Sequence, residues 1–102
     1  MQNTRLALMC KSHNYKVDPY SNEYRVGEWV ISEKKRNELV GAQVILTESQ
    51  KTPAYLGGTI VGFIPTSNGK CEVIFEEDQT LVGNEEAVGH RGWGNQRSVC
   101  YV

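Results

Sequence analysis

Apolar residues in this chain fall into short runs, and the first run covers residues 5–10. This run is mostly apolar, as in a buried first strand. Residues 43–47 are rich in β-branched side chains and predict a second strand. Residues 96–102 predict the last strand. In the first strand, period-two alternation predicts one core-facing set, formed by Leu6, Leu8 and Cys10.

The strongest local signal is a β-hairpin in the middle of the chain. Residues 58–65 are largely apolar on both faces, which is typical of a strand that is covered on both sides or closes a barrel. Asn68 and Gly69 form a dipeptide that favours a tight hairpin turn. In the return strand, residues 71–76, we expect the side chains that face the core to be Cys71, Val73 and Phe75.

The remaining segments predict one short helix and two long loops. Ser32 is a common N-cap residue, and Gly41 suits the end of the helix that would follow it. Residues 11–28 are polar and predict a long loop, with one irregular helical turn near 19–25. Residues 77–94 are acidic and then glycine-rich, so we expect mostly loop there.

Together these elements predict the fold class. Five short strands with few helical residues indicate a mainly β (α+β) domain. The expected architecture is a small β-barrel of about five strands, or a strongly bent sheet, with one or two short helices. A chain of 102 residues suits a single domain, spanning residues 1–102.

Charge and cysteine content narrow the function classes. The formal net charge of −1 argues against sequence-blind binding along nucleic acid. Residues 1–36 carry seven basic and four acidic side chains, so a local phosphate contact is still compatible with the sequence. Three cysteines without a close pair indicate reduced thiols in a cytoplasmic protein. We expect neither a secretion signal nor a membrane span, since no apolar run reaches about 18 residues.

Two groups of side chains resemble metal or catalytic sites, and each has a simpler interpretation. Cys10 precedes His13 by three positions, as in half of a metal site or a Cys–His pair. Because no second close pair exists, a strand cysteine followed by a loop histidine is the simpler interpretation. The carboxylates at 76–78 and 85–86 suit a solvated loop. We therefore expect neither a metal nor a cofactor.

The glycines at positions 57 and 58 resemble a phosphate-binding loop only superficially. A P-loop needs a following lysine and the start of a helix, and neither is present here. The two glycines instead predict a bend or bulge at the entry to the hairpin strand.

Both tryptophans are candidates for stacking on a planar ligand. Trp93 lies between two glycines, which would leave its ring faces open to a partner. Trp29 follows the long polar segment. Packing in the core is the simpler role for any tryptophan, and stacking on a nucleobase is the functional alternative.

In their order, these features resemble the PUA-like superfamily, especially its small EVE-type and ASCH-type barrels. The resemblance covers most of the chain and rests on the order and spacing of the motifs. It includes the first strand, the polar loop at 12–18 and the tryptophan of Glu28-Trp29-Val30. The later motifs are Gly41-Ala42-Gln43-Val44-Ile45-Leu46 and Gly58-Thr59-Ile60-Val61-Gly62.

The resemblance implies a pocket beside the barrel that receives a nucleobase, often a modified or flipped one. Ser12, Asn14 and Trp29 would lie near this pocket. Trp93 would form a second wall, and Tyr55 would lie at the rim. The base would stack on indole while Asn14 bonds its Watson–Crick edge. A local contact with the nucleic-acid backbone is expected from the basic residues Lys34, Lys35 and Arg36.

Three functional hypotheses follow. The leading one is a non-catalytic domain, monomeric or homodimeric, that binds RNA, DNA or a nucleobase-like ligand. The alternative is a protein-interaction module, such as a small accessory or inhibitor protein from a mobile element. It is favoured by the near-neutral charge and the acidic second half of the chain. The third is an ASCH-type hydrolase or ribonuclease, although the placement of Lys11, Thr59 and Glu72 does not support giving them the catalytic roles.

Overall fold

The computed structural model describes residues 4–10, 15–18, 20–49, 51–66, 69–85 and 97–101. Within these ranges it is a mainly β domain with one α-helix, α1, at Glu33–Leu39, and one 3₁₀ helix at Gln79–Leu81. The strands are β1 Thr4–Met9, β2 Lys16–Val17, β3 Glu23–Val30, β4 Gln43–Thr47, β5 Leu56–Pro65, β6 Lys70–Glu77 and β7 Arg97–Tyr101.

All described strands belong to one mixed sheet with the order β2-β3-β6-β5-β4-β1-β7. β1 and β4 are parallel, and every other described pair is antiparallel. The sheet is open, because its edge strands β2 and β7 do not pair with each other. The prediction of a mainly β fold is therefore confirmed. The predicted closed barrel of about five strands is not found in the described part of the chain, where the sheet stays open.

Several elements agree with the sequence prediction. Ser32 caps α1, since its Oγ accepts a hydrogen bond from the Lys35 amide at 3.2 Å. Gly41 follows the helix with a φ of 88°, in the left-handed region that favours glycine. The β5–β6 hairpin is confirmed, with Cys71, Val73 and Phe75 buried.

No helix in the described ranges is long and apolar enough to cross a bilayer.

The loop predicted for residues 11–28 is wrong in its described part. β2 and β3 form an antiparallel hairpin there, and β3 also pairs with β6. The helical turn predicted near 19–25 is likewise replaced by the start of β3. A β-bulge between Val26 and Trp29 explains the error, because both side chains are buried although they lie three positions apart. The bulge shifts the alternation of inward and outward side chains by one residue. A strict period-two pattern therefore does not predict the whole strand.

The prediction of a bend or bulge at positions 57 and 58 is also wrong. Both glycines lie inside the regular part of β5, opposite Ile45 and Val44 of β4. The register shift on β5 comes later, between Ile60 and Gly62. The glycines are instead required by close packing, as a Cβ on Gly58 would lie 2.0 Å from the Glu76 carbonyl oxygen.

The main core lies on what we call the inner face of the sheet. It includes residues of five strands and of the segment around α1, namely Leu6, Val26, Leu39, Val44, Ile60 and Phe75. A smaller cluster lies on the opposite, outer face at β1 and β4, formed by Ala7, Ile45, Ala54 and Leu81. Segments after β4 and β6 thus cover the outer face of the central strands.

The outer face of β2, β3, β6 and β5 is more open. Ile64 and Ile74 are only half-buried there, and Val30 is 56% exposed. Val61, at the bulge of β5, is 40% exposed. The sheet is therefore covered on both faces at one end and on one face at the other, which leaves an accessible surface.

Candidate binding surfaces

Trp29, the first predicted stacking residue, is a core residue. It lies on β3 opposite Cys71 and is only 8% exposed. Its carbonyl oxygen accepts a hydrogen bond from the Cys71 thiol at 3.6 Å. The indole packs in the main cluster and presents no open face on which a base could stack.

Tyr55, predicted at the pocket rim, ties two parts of the structure together. Its hydroxyl donates a hydrogen bond to the Cys10 carbonyl oxygen at 2.8 Å, and its ring packs against the main core. Burial, followed by this hydrogen bond, raises the pKa of the Tyr55 hydroxyl. The side chain therefore holds the segment before β5 against the end of β1. The other predicted pocket residues, Ser12, Asn14 and Trp93, lie outside the described residues.

The predicted basic run lies on α1, but its side chains have different surroundings. Lys34 is exposed, and the Lys35 ammonium lies 3.4 Å from the Glu38 carboxylate. Arg36 is half-buried and lies near the Cys71 thiol. Burial raises the pKa of that thiol, and the neighbouring guanidinium partly opposes the shift. The run thus does not form one uniform cationic patch, and its contact with a nucleic-acid backbone stays a prediction.

The aromatic side chains that do line up at a partly accessible place are tyrosines. The ring centroids of Tyr15 and Tyr24 are 5.4 Å apart, at 50° to each other. Tyr24 also stacks on the buried Phe75, with centroids again 5.4 Å apart. Burial and then the Glu77 carboxylate raise the pKa of Tyr24. The sequence prediction missed this aromatic row because it placed both tyrosines in a loop.

A groove lies on the open part of the outer face of the sheet. We call it the outer groove, and its volume is about 430 Å³. It lies over β2, β3, β6 and β5, on the side of the sheet opposite Trp29 and the main core. The residues that line it are Lys16, Val17, Asp18, Glu23, Arg25, Ile64 and Ile74.

Strand register explains how the outer groove is built. Lys16 lies opposite Arg25, Arg25 lies opposite Ile74, and Ile74 lies opposite Gly62. This places two cations, an aliphatic side chain and a glycine in one row across four strands. A Cβ on Gly62 would meet no atom within 4 Å, so the space at this end of the row, next to Ile74, is open.

Sequence reasoning missed the outer groove, although one signal was available. Residues 23–26 alternate polar and apolar, which is typical of a half-buried strand. Pairing with β2 and β6 turns Glu23 and Arg25 outward. Two residues of the ASCH-type hypothesis are not adjacent, because Thr59 pairs with Glu76 and Glu72 pairs with Ile64. The third, Lys11, lies outside the described residues. On strand β6, Glu72 and Glu76 are four positions apart, a distance of about 13 Å.

Cys10 and Cys71 are buried as thiols, which agrees with the prediction for these two cysteines. His13 lies outside the described residues, and so the Cys10–His13 pairing stays a hypothesis. Among the residues that the structure describes, no three His, Cys, Asp or Glu side chains are grouped as a metal site would require. The acidic residues Glu76 and Glu77 end β6, and Asp78 caps the 3₁₀ helix.

Comparison with known proteins adds no relative. No protein-family model, no curated protein sequence and no solved structure matches this chain significantly. The resemblance to PUA-like domains therefore stays a prediction.

Proposed function

We propose that this domain is a protein-interaction module that binds its partner through the outer groove. One observation supports this most: aliphatic side chains on the floor of the groove stay accessible between charged walls of both signs. Ile64 and Ile74 form this floor. An apolar centre with a polar rim is the usual composition of a protein–protein interface.

The charges in the outer groove favour a protein over a nucleic acid. Asp18 and Glu23 lie beside Lys16 and Arg25, and acidic side chains repel a phosphate backbone. Strong binding to nucleic acid relies on several cations acting together. Charges of both signs instead allow a complementary protein surface to be selected and oriented.

A nucleobase-like ligand, free or in RNA or DNA, is the alternative. It is favoured by the half-buried Tyr15 and Tyr24, whose rings could stack a base. Trp29 gives it no support, because its ring is in the core. A PUA-like relationship belongs to this alternative.

Partner capture with a filled groove tests the proposed function. Gly62→Trp should fill the outer groove without a clash at Cβ, because the space around that position is open. Val40→Trp is the matched control, since Val40 is 50% exposed and lies outside the groove lining. Each tagged protein is incubated with nuclease-treated extract of the native host cells, and bound proteins are identified by mass spectrometry. Circular dichroism checks that both variants fold.

We expect the wild type and Val40→Trp to retain the same partner and Gly62→Trp to lose it. Equal capture by Gly62→Trp would contradict the proposal. Added nucleosides should leave the capture unchanged. If they displace the partner, or if only nucleic acid is recovered without nuclease, the nucleobase alternative is favoured.

A further inference from the structure

The two cations of the outer groove lie directly opposite each other, and no described carboxylate forms an ion pair with either of them. Lys16 and Arg25 are exposed and directly opposite on neighbouring strands. Like charges in this position destabilise a sheet. Within the described ranges, no ion pair joins either cation to a carboxylate. A negatively charged group bound between them would relieve this repulsion, and arginine favours a carboxylate because it can hold both oxygens.

The acidic side chains of the groove form a second pair, two residues further along each strand. Asp18 lies opposite Glu23, whose carbonyl oxygen accepts a hydrogen bond from the Asp18 amide at 3.0 Å. The Asp18 carboxylate already accepts a hydrogen bond from the Tyr20 amide at 2.9 Å, which fixes it at the hairpin turn. The groove is therefore polarised, with negative charge at the turn and positive charge next to the aliphatic floor.

The aliphatic floor lies directly beside the cations. Ile74 is opposite Arg25, and Gly62 next to it leaves an open space that an apolar side chain could enter. An occupant that fits this row needs a carboxylate and an aliphatic group as neighbours on one face. In an extended peptide, residues at positions i and i+2 point to the same face.

We propose that the outer groove binds an extended segment of a partner protein in which an acidic and an aliphatic residue are separated by one position. The acidic side chain lies between Lys16 and Arg25, and the aliphatic side chain enters the space between Ile74 and Gly62. This inference rests on the proposed function, and it names the chemistry of the partner. A phosphate strand fits less well, because Asp18 and Glu23 lie in the same groove.

Short peptides provide the test. The probe is the acetylated and amidated peptide Ser-Glu-Ser-Leu-Ser, and the controls are Ser-Lys-Ser-Leu-Ser and Ser-Glu-Ser-Ser-Ser. Each is titrated into ¹⁵N-labelled protein, and the backbone amide shifts are followed by NMR. A thymidine oligonucleotide serves as the phosphate probe. The charge-reversed protein is Lys16→Glu with Arg25→Glu, and Lys34→Glu with Lys51→Glu is a matched control on exposed residues outside the groove.

We expect the glutamate–leucine peptide to shift the amides of Arg25, Gly62 and Ile74. Both control peptides should bind on the order of tenfold more weakly. The charge-reversed groove should prefer the lysine peptide, which shows that the protein is folded and that charge decides the choice. Equal binding of the glutamate and lysine peptides, shifts elsewhere, or stronger binding of the oligonucleotide in the groove would overturn the inference.

The outcome can be separated from that of the proposed function. If Gly62→Trp loses its partner but the charge-reversed groove still captures it, the interaction function stands and the acidic–aliphatic segment is wrong. If Gly62→Trp keeps the partner, the proposed function itself fails.

Discussion

Gly58 and Gly62 show how differently one residue type acts on a single strand. A Cβ on Gly58 would lie 2.0 Å from the Glu76 carbonyl oxygen and 2.6 Å from the Phe75 ring. A Cβ on Gly62 would meet nothing within 4 Å. The sequence correctly predicts that this stretch is a strand. It does not distinguish a glycine needed for close packing from one that shapes a groove, since the neighbours come from β6.

Alanine at these two positions gives the first prediction. Gly58→Ala should lower the free energy of unfolding by about 2 kcal/mol or more, because the added methyl overlaps a backbone atom that cannot move alone. Gly62→Ala should change it by no more than about 1 kcal/mol, with a gain expected from the stiffer unfolded chain. Urea denaturation of both variants measures the difference. Equal losses would contradict the packing described for Gly58.

At the scale of elements, short-range signals predict α1 well and β3 badly. The cap of α1 depends on Ser32 and on the amide of Lys35, which are close in sequence. β3 depends on pairing with β6, and the bulge between Val26 and Trp29 breaks its alternation. The 3₁₀ helix at Gln79–Leu81 was missed as well, although Asp78 is a typical capping residue.

Asp78 gives a pH-dependent prediction for that 3₁₀ helix. Its carboxylate accepts hydrogen bonds from Thr80 Oγ1 at 2.6 Å and from the Thr80 amide at 3.0 Å. These bonds lower the pKa of Asp78 below its ordinary value of 3.8. The charged form is therefore favoured in the folded state. The stabilisation is present above pH 3.8 and is lost as the pH falls through the lowered pKa.

Asp78→Ala should thus have a lower free energy of unfolding than the wild type at neutral pH. This difference in the free energy of unfolding should become smaller on acidification. Denaturant titrations between about pH 7 and pH 3 measure this gap. Thr80→Ser, which keeps the hydroxyl donor, is the control and should retain the wild-type pH dependence. A gap that stays constant over the range would show that Asp78 acts without its charge.

At the scale of the whole molecule, one core connects strands from opposite ends of the sheet. The main cluster includes Leu6 of β1, Phe75 of β6 and Trp29 of β3. Elements that share a core usually unfold together. The outer groove adds little to this core, because its floor is only half-buried.

Trp29 can report on this cooperativity. In a Trp93→Phe variant it is the only tryptophan, and we expect its native emission to be blue-shifted and poorly quenched by acrylamide, since the ring is buried. Its fluorescence and far-UV circular dichroism should give the same unfolding midpoint. Strong quenching in the native state would instead mean that the indole is open to ligands. An earlier fluorescence transition would show that β3 unfolds separately.

Elements whose causes are local can be predicted from the amino-acid sequence alone. These include the cap and end of α1, the β5–β6 hairpin and the inward set Cys71, Val73 and Phe75. Neighbouring residues carry these signals, so the alternation, capping and turn residues are enough to predict them.

The position of the candidate site depends instead on contacts between strands that are distant in sequence. The outer groove depends on register across four strands, which brings Lys16, Arg25, Ile74 and Gly62 into one row. Tertiary packing also buries Trp29, which the sequence analysis proposed as a stacking residue. Register and burial depend on which strands pair and on what covers each face, and no single stretch of the chain contains that information.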